Sequence, residues 1–203
     1  MATAQAATPA RTQGERREAT TGALLDAARE LFARDGYAAT SLDAVVAKAG
    51  VTKGALYHHF DGKRELFRAV FEREQDRLAQ ALRQAFARKR DPWEGLQAAC
   101  RAFLDAALDP ELQRIVLVDS FSALGFAAVR EAEAGQLEGL REALRLSMEA
   151  GRLPRRPVEP LAALLFGALC EAALTTARAQ DERAAHRAVT AELKRLFDAL
   201  GAS

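Results

Sequence analysis

Residues 41–60 read SLDAVVAKAGVTKGALYHHF, and the fold turns on how this stretch is punctuated. Leu42, Val45, Val46 and Ala49 recur at i, i+3, i+4 and i+7, the spacing of one apolar helix face, and Ser41 stands where an N-cap belongs. Gly50 suits the left-handed residue that ends a helix, and Thr52 can cap a second short helix running to about Phe60. Leu56 and Phe60, one turn apart, anchor that second helix inward. Two helices joined by a tight turn containing Gly form a helix-turn-helix, the unit that lays its second helix in the major groove of DNA.

The outward residues of the second helix suit such a groove. Gly54 and Ala55 have almost no side chain, so the backbone can approach base edges and Ala55 can touch a thymine methyl. Lys53 and the helix N-terminus favour phosphate. Taken alone, the same pattern also fits an amphipathic surface helix whose polar face meets only water.

The run VVAKAGVTKGALYHHFDGKREL, residues 45–66, closely resembles the DNA-binding signature of TetR-type transcriptional regulators in their broad AcrR-like branch. The likeness is almost gap-free. It extends back through Phe32, Gly36, Tyr37 and Thr40 and forward to Phe67, and covers roughly the first third of the chain. The resemblance implies that Ser41 and Thr52 meet phosphates at helix N-termini, that Tyr57 and His59 reach the DNA backbone, and that Lys63 donates to a phosphate. Lys53, Gly54, Ala55 and His58 are left to face bases. Val46, where the family favours Ala or Ile, and the Asp61-Gly62 turn depart from the usual pattern without putting the fold in doubt. The base-reading positions vary most within the family, so no operator sequence carries over.

Composition bounds the rest. A chain of 203 residues with 49% hydrophobic residues can bury a substantial core. A net charge of +1 excludes a protein that coats nucleic acid by bulk charge. Residues 1–64 hold nine Lys and Arg against seven Asp and Glu, and the remainder twenty against twenty-one, so the small positive excess lies in the first part. Cys100 and Cys170 share no metal-ligand spacing with His58, His59 or His186 and read as small buried hydrophobes in a reducing cytoplasm. Residues 1–14 read as a disordered leader with none of the apolar core of a signal peptide. The longest apolar run, residues 161–174, is interrupted by Glu171 and too short to span a bilayer, so no membrane partner is expected.

Taken in order, Leu24, Leu25, Ala28, Leu31 and Phe32 stripe a first helix that stops at Asp35-Gly36. With the helix pair this makes a three-helix DNA-binding module over residues 15–64, on which Tyr37 is expected to pack. A long helix begins near Lys63 and carries Leu66, Phe67, Val70, Phe71, Leu78, Leu82 and Phe86 into the next domain. It closes at Arg88-Lys89-Arg90, charges that suit a helix C-terminus. Asp91-Pro92 and Asp109-Pro110 are stop-and-restart signals. The β-branched residues 115–118 allow a strand, but an isolated strand has no partner, so helix is preferred. Val129, Leu137, Leu140, Leu144 and Met148 mark a further helix, and two more follow residues 152–157. The fold expected is all-α, with about nine helices: the three-helix module, then a larger C-terminal helical ligand-sensing and dimerisation domain over residues 65–203.

Residues 161–174 are apolar nearly all round, which suits burial on several sides at once, including a subunit interface. The resemblance implies homodimers built from the last two helices as an antiparallel four-helix arrangement. The interface candidates are Leu161, Leu165, Leu169, Val189, Leu193, Leu196 and Phe197. For a ligand cavity the candidates are Trp93, Phe103, Val116, Phe121, Phe126 and Phe166, with Asp119 as a polar anchor; any one of these aromatics also suits ordinary core packing. Such a cavity favours lipidic, aromatic or drug-like molecules. The competing class, an enzyme, lacks support: no Gly-rich phosphate loop, no metal-ligand spacing and no Ser with a matched His and acid, hence no catalytic, metal or cofactor residues. The function expected is a ligand-responsive repressor on double-stranded operator DNA, the alternatives being a ligand-independent regulator or an activator.

Overall fold

Each helix of the DNA-binding module starts where a side-chain oxygen covers its first free N–H groups. The computed structural model describes residues 12–201, and all regular structure among them is helical. Thr12 opens α1 (Gln13–Ala39) with a reciprocal box: its hydroxyl accepts from Glu15 N at 3.2 Å while its own N–H donates to the Glu15 carboxylate at 2.7 Å. The expected disordered leader therefore falls outside the described residues as far as Arg11, while Gln13 and Gly14 already lie in the first turn of α1. Ser41 caps α2 (Leu42–Ala49) through Ala44 N, and Thr52 caps α3 (Lys53–His59) through Ala55 N, at 3.1 and 3.2 Å. Gly50 between them sits in the left-handed region at φ 67°, ψ 29°.

Helix α1 continues past Asp35, although Gly36 leaves helical geometry at φ 81°, ψ 165° and kinks it. Lys63, the first residue of α4 (Lys63–Ala87), turns its ammonium back onto this last turn and donates to the carbonyls of Tyr37, Ala38 and Thr40 at 2.9, 3.1 and 3.1 Å. Tyr37 packs its ring on Phe32 and Phe67, with centroids 6.0 and 5.0 Å away.

Beyond the head, α4 lies along α5 (Pro92–Ala106), which Asp91 caps and Pro92 begins. The two helices touch at Gly95, where a Cβ would stand 2.9 Å from the Phe86 ring. Residues 110–124 form one broken rod: α6 (Pro110–Leu112), a π-helical stretch (Gln113–Asp119) and α7 (Ser120–Leu124). The β-branched run is thus helical, with a widened turn at Ile115 and Val116. Then follow α8 (Phe126–Glu149), α9 (Val158–Ala177) and α10 (Glu182–Gly201). Counting the broken rod once, the described residues hold nine helical rods.

Two apolar cores result, and they do not divide at residue 64. The first joins Leu24, Phe32, Val45, Leu56, Phe67 and Phe71 of the head to Ile115, Val116, Leu124 and Val129 of the C-terminal part. The second gathers Leu96, Cys100, Leu104, Leu144, Leu165 and Phe197. The head is therefore a shared structure, completed by the broken rod.

Gly36 has a backbone shape that is essentially restricted to glycine, and Arg114 lies against its α-carbon. Gly36→Ala is expected to lower the unfolding free energy by about 1–3 kcal/mol, read from the urea midpoint at unchanged m-value.

Candidate nucleic-acid interface

The outer side of the helix pair carries polar and small residues over an apolar floor. Val45, Leu56 and Phe60 are buried, while Ser41, Thr52, Lys53, Gly54, Tyr57 and His58 are exposed together and Ala55 and His59 are half-buried. Tyr57 is 51% exposed, although it is large and half apolar. Gly54 has a Cβ position open to solvent, its nearest neighbour being the Thr52 hydroxyl at 4.0 Å. Nothing inside the protein calls for a glycine there.

Lys53 does not point freely outward. Its ammonium lies 2.7 Å from the Asp43 carboxylate, which hydrogen-bonds it and raises its pKa. Both partners are more than half exposed, so the pair is weak and readily exchanged for a phosphate. His59 is more constrained. Thr21 donates its hydroxyl to Arg17 O at 3.0 Å and lies 3.2 Å from His59 Nδ1, within hydrogen-bond reach of the ring. Partial burial, then His58 and Arg17, hold its pKa below the usual value. Arg17 and Thr21 on α1 thus belong to the surroundings of the reading helix, which the stretch from 41 to 60 alone could not reveal.

Lys63 is engaged within the protein. Its ammonium has three hydrogens, and three carbonyls of the 37–40 turn take them while the Tyr37 ring lies 4.7 Å below. As folded, it caps α1, so a phosphate contact would have to compete with these carbonyls.

The cavity lies elsewhere than most of the expected residues. A space of about 280 Å³ opens between α4, α5, α8 and α9, walled by residues such as Leu82, Phe86, Leu96, Phe103, Leu140 and Phe166. Phe103 and Phe166 reach it. Trp93 instead packs edge-on against Phe197, and Val116 is in the first core. Phe121 and Phe126 stack on each other at 6.1 Å on the surface. Asp119 accepts from Tyr37 N at 2.7 Å and Arg114 Nε at 3.1 Å, which ties the π-helical stretch to the end of α1, away from the residues that wall the cavity. Apolar character could not separate cavity walls from core, because both use the same residues. Cys100 lines the cavity, and burial pushes its thiol up to about 12, an inert group. Cys170 is half-buried, its thiol raised to about 11 by burial.

The interface candidates divide similarly. Leu165, Leu169 and Phe197 are buried in the second core, and Leu161, Val189 and Leu193 pack against it; Leu196 is exposed. A stripe of apolar residues marks the face turned to its own core as well as any face turned outward. The outward face of α9 carries Ala163, Leu164, Gly167 and Ala168, with Leu164 73% exposed. Extended by Val158 and Ala177 beyond the run seen in the sequence, α9 is long and apolar enough, by length and composition, to cross a membrane.

Comparison with known proteins decides what this arrangement is. Residues 24–70 match the family described as bacterial regulatory proteins, tetR family, and residues 93–200 match the tetracyclin repressor-like C-terminal domain. The chain belongs to the TetR family. It is a DNA-binding transcriptional regulator and not an enzyme. A solved TetR-family regulator from Pectobacterium atrosepticum is 36% identical, with a TM-score of 0.83 over 95% of this chain and 99% of that one. The regulator SrpR of Pseudomonas putida is 32% identical over 68% of this chain and 65% of its own length. The transcriptional activator FasR of Mycolicibacterium smegmatis is 44% identical over 41% of this chain and 38% of its own. The matched stretch thus spans less than two thirds of either curated relative.

Lys63→Met is expected to lower stability by about 1 kcal/mol, because part-buried and exposed carbonyls lose their donor, while the salt dependence of DNA binding keeps its slope. A slope smaller by about one would return Lys63 to the phosphate contacts. A phosphate beside His59 would favour the imidazolium over a neutral ring whose pKa is held low in the free protein, so DNA binding is expected to take up a proton. Affinity is expected to rise as pH falls from about 8 to about 6, and less steeply in His59→Gln, measured by fluorescence anisotropy at fixed salt.

Proposed function

We propose that the chain works as a homodimeric repressor on a palindromic operator and that a small, mainly apolar effector releases it. The observation that carries the effector half is a pair of glycines. Gly135 and Gly139 stand one turn apart within α8, both line the cavity, and the Cβ position of each is open. Glycine in a helix interior costs roughly 1 kcal/mol relative to alanine, and neither close packing nor a positive φ compensates here. Both glycines are exposed where the cavity opens to solvent, and their missing side chains leave its mouth clear. Two more distant fold neighbours have been solved with ligands: RolR with resorcinol, 23% identical at TM-score 0.65, and Bacillus subtilis FadR with stearoyl-CoA, 20% identical at 0.70.

On the DNA side, Gly54 is the matching observation, a small residue that only an outside surface explains. Ser41, Thr52, Tyr57 and His59 are assigned to the DNA backbone and Lys53, Gly54, Ala55 and His58 to base edges. Two such heads must sit about 34–36 Å apart, or a related groove repeat, to enter successive major grooves. The outward face of α9, with Leu164 and Leu196 of α10, is assigned to the partner copy. That assignment accounts for an apolar helix left uncovered on one side, and for cytoplasmic location in place of membrane insertion.

The activator FasR among the relatives favours a second reading, the same DNA binding with the opposite sign. A reporter fused to the operator separates the two: deletion of the regulator raises expression for a repressor and lowers it for an activator.

Three measurements test the rest. Footprinting on the DNA flanking the gene is expected to give a symmetric protected site with two half-sites. Leu164→Glu is expected to give monomers in sedimentation and to lose that site. Gly139→Leu, filling the cavity with a better helix former, is expected to raise the thermal midpoint by about 2–4 °C while abolishing uptake of the neutral dye N-phenyl-1-naphthylamine. Undiminished uptake would remove the cavity from the proposed site.

A further inference from the structure

The reading of the cavity as the effector site leaves open what kind of head group it accepts, and the few polar side chains along its wall answer that. Arg83, Gln136 and Glu142 carry the charged or amide groups there, and they are not equivalent. Glu142 is engaged by Arg145, whose Nη1 lies 3.1 Å from its carboxylate. Gln136 is uncharged, and its Nε2 donates to Gln75 Oε1 at 2.8 Å, which ties α8 to α4. Arg83 is exposed and has no ion-pair or hydrogen-bond partner among the described residues. Its neighbours one turn away on α4 are Ala79, Gln80, Phe86 and Ala87, none of them acidic.

The cavity thus has an apolar interior and one uncompensated guanidinium at its rim. We propose that it takes a small amphipathic monoanion, with an alkyl or aryl body inside and a carboxylate at Arg83. A guanidinium fork matches a carboxylate, and at an exposed arginine the pair adds a modest, salt-sensitive preference to the apolar contacts of the body. One arginine balances one charge. A dianion such as a phosphate monoester would keep one charge unmatched in a cavity whose other charged group is the acidic Glu142, and a cation would be repelled by Arg83. At about 280 Å³ the space sits at the low end of the roughly 300–1,000 Å³ of small-molecule pockets, which sets the body at a medium chain or one to two rings.

The test is competition against N-phenyl-1-naphthylamine by three molecules of equal chain length: decanoate, decanol and decylamine. At low salt, decanoate is expected to displace the dye at a concentration about fivefold or more below that of decanol, a preference that shrinks as salt is added. In Arg83→Gln, whose thermal midpoint should match the parent, decanoate is expected to lose that advantage while decanol is unchanged. Equal displacement by decanoate and decanol in the parent overturns the head-group assignment and leaves the cavity reading intact. So does a preference that survives Arg83→Gln, or decylamine as the best competitor. Dye uptake that is absent from the parent, or persists in Gly139→Leu, overturns the cavity reading itself and this inference with it.

Discussion

One ammonium group holds the join on which the head of this molecule depends. The end of α1 breaks at Gly36, so the carbonyls of residues 37–40 have no following helical turn to receive. Lys63 collects three of them from the first turn of α4, and Asp119 takes the Tyr37 N–H from the opposite side. A buried backbone group without a partner costs about as much as a lost hydrogen bond or more. The kink is therefore stabilised where α4 and the π-helical stretch meet. Arg114 completes the arrangement, held by Asp119 and lying on Gly36, where any side chain would collide with it.

That join explains why the apolar cores divide as they do. A three-helix head of about fifty residues buries too little surface to be secure alone. Ile115, Val116, Leu124 and Val129 from the far side of the chain fill the remaining space, and the broken rod bends so that it can reach the head. The π-helical turn places Asp119 against α1 while Ile115 and Val116 keep inward positions. The unit that reads DNA and the unit that closes its core are therefore different stretches of sequence.

Local chemistry made the helices legible. Ser41, Gly50 and Thr52 act on neighbours within four residues, and the structure uses each of them at the position its type suggests. Asp91-Pro92 and Asp109-Pro110 start helices for the same reason. What stayed hidden depends on partners distant in sequence. Lys63 resembles a phosphate donor until the carbonyls twenty-odd residues earlier are seen around it. Asp119 resembles a ligand anchor until Tyr37 arrives from 82 residues away. Leu165 and Leu164 are identical in type and adjacent, yet one is buried in the second core and the other is 73% exposed; the difference is a rotation of about 100° about α9. The glycines at 135 and 139 carried the cavity signal, but a missing side chain shows as a cavity only once the facing helices are in place.

The polar network beside the join restricts how a cavity at one end of α4 could act on a head at the other. Glu74, 3% exposed at its side chain, is gripped by Arg29 of α1 through both oxygens at 2.8 and 3.3 Å, and Arg77 adds a third contact at 2.7 Å. Arg29 also reaches Asp109 and Glu111 at the start of the broken rod. Separating such a buried pair costs about 3–5 kcal/mol, more than the roughly 1–3 kcal/mol by which effectors usually couple to distant sites. A tilt of α4 is therefore expected to carry α1 with it. At Gly95, α5 packs closely on Phe86 of α4, which holds the far end of α4 against α5. The head should then move as one body with the first half of α4. In the proposed dimer, DNA affinity would then change through the spacing of two intact heads, with each helix-turn-helix keeping its own shape.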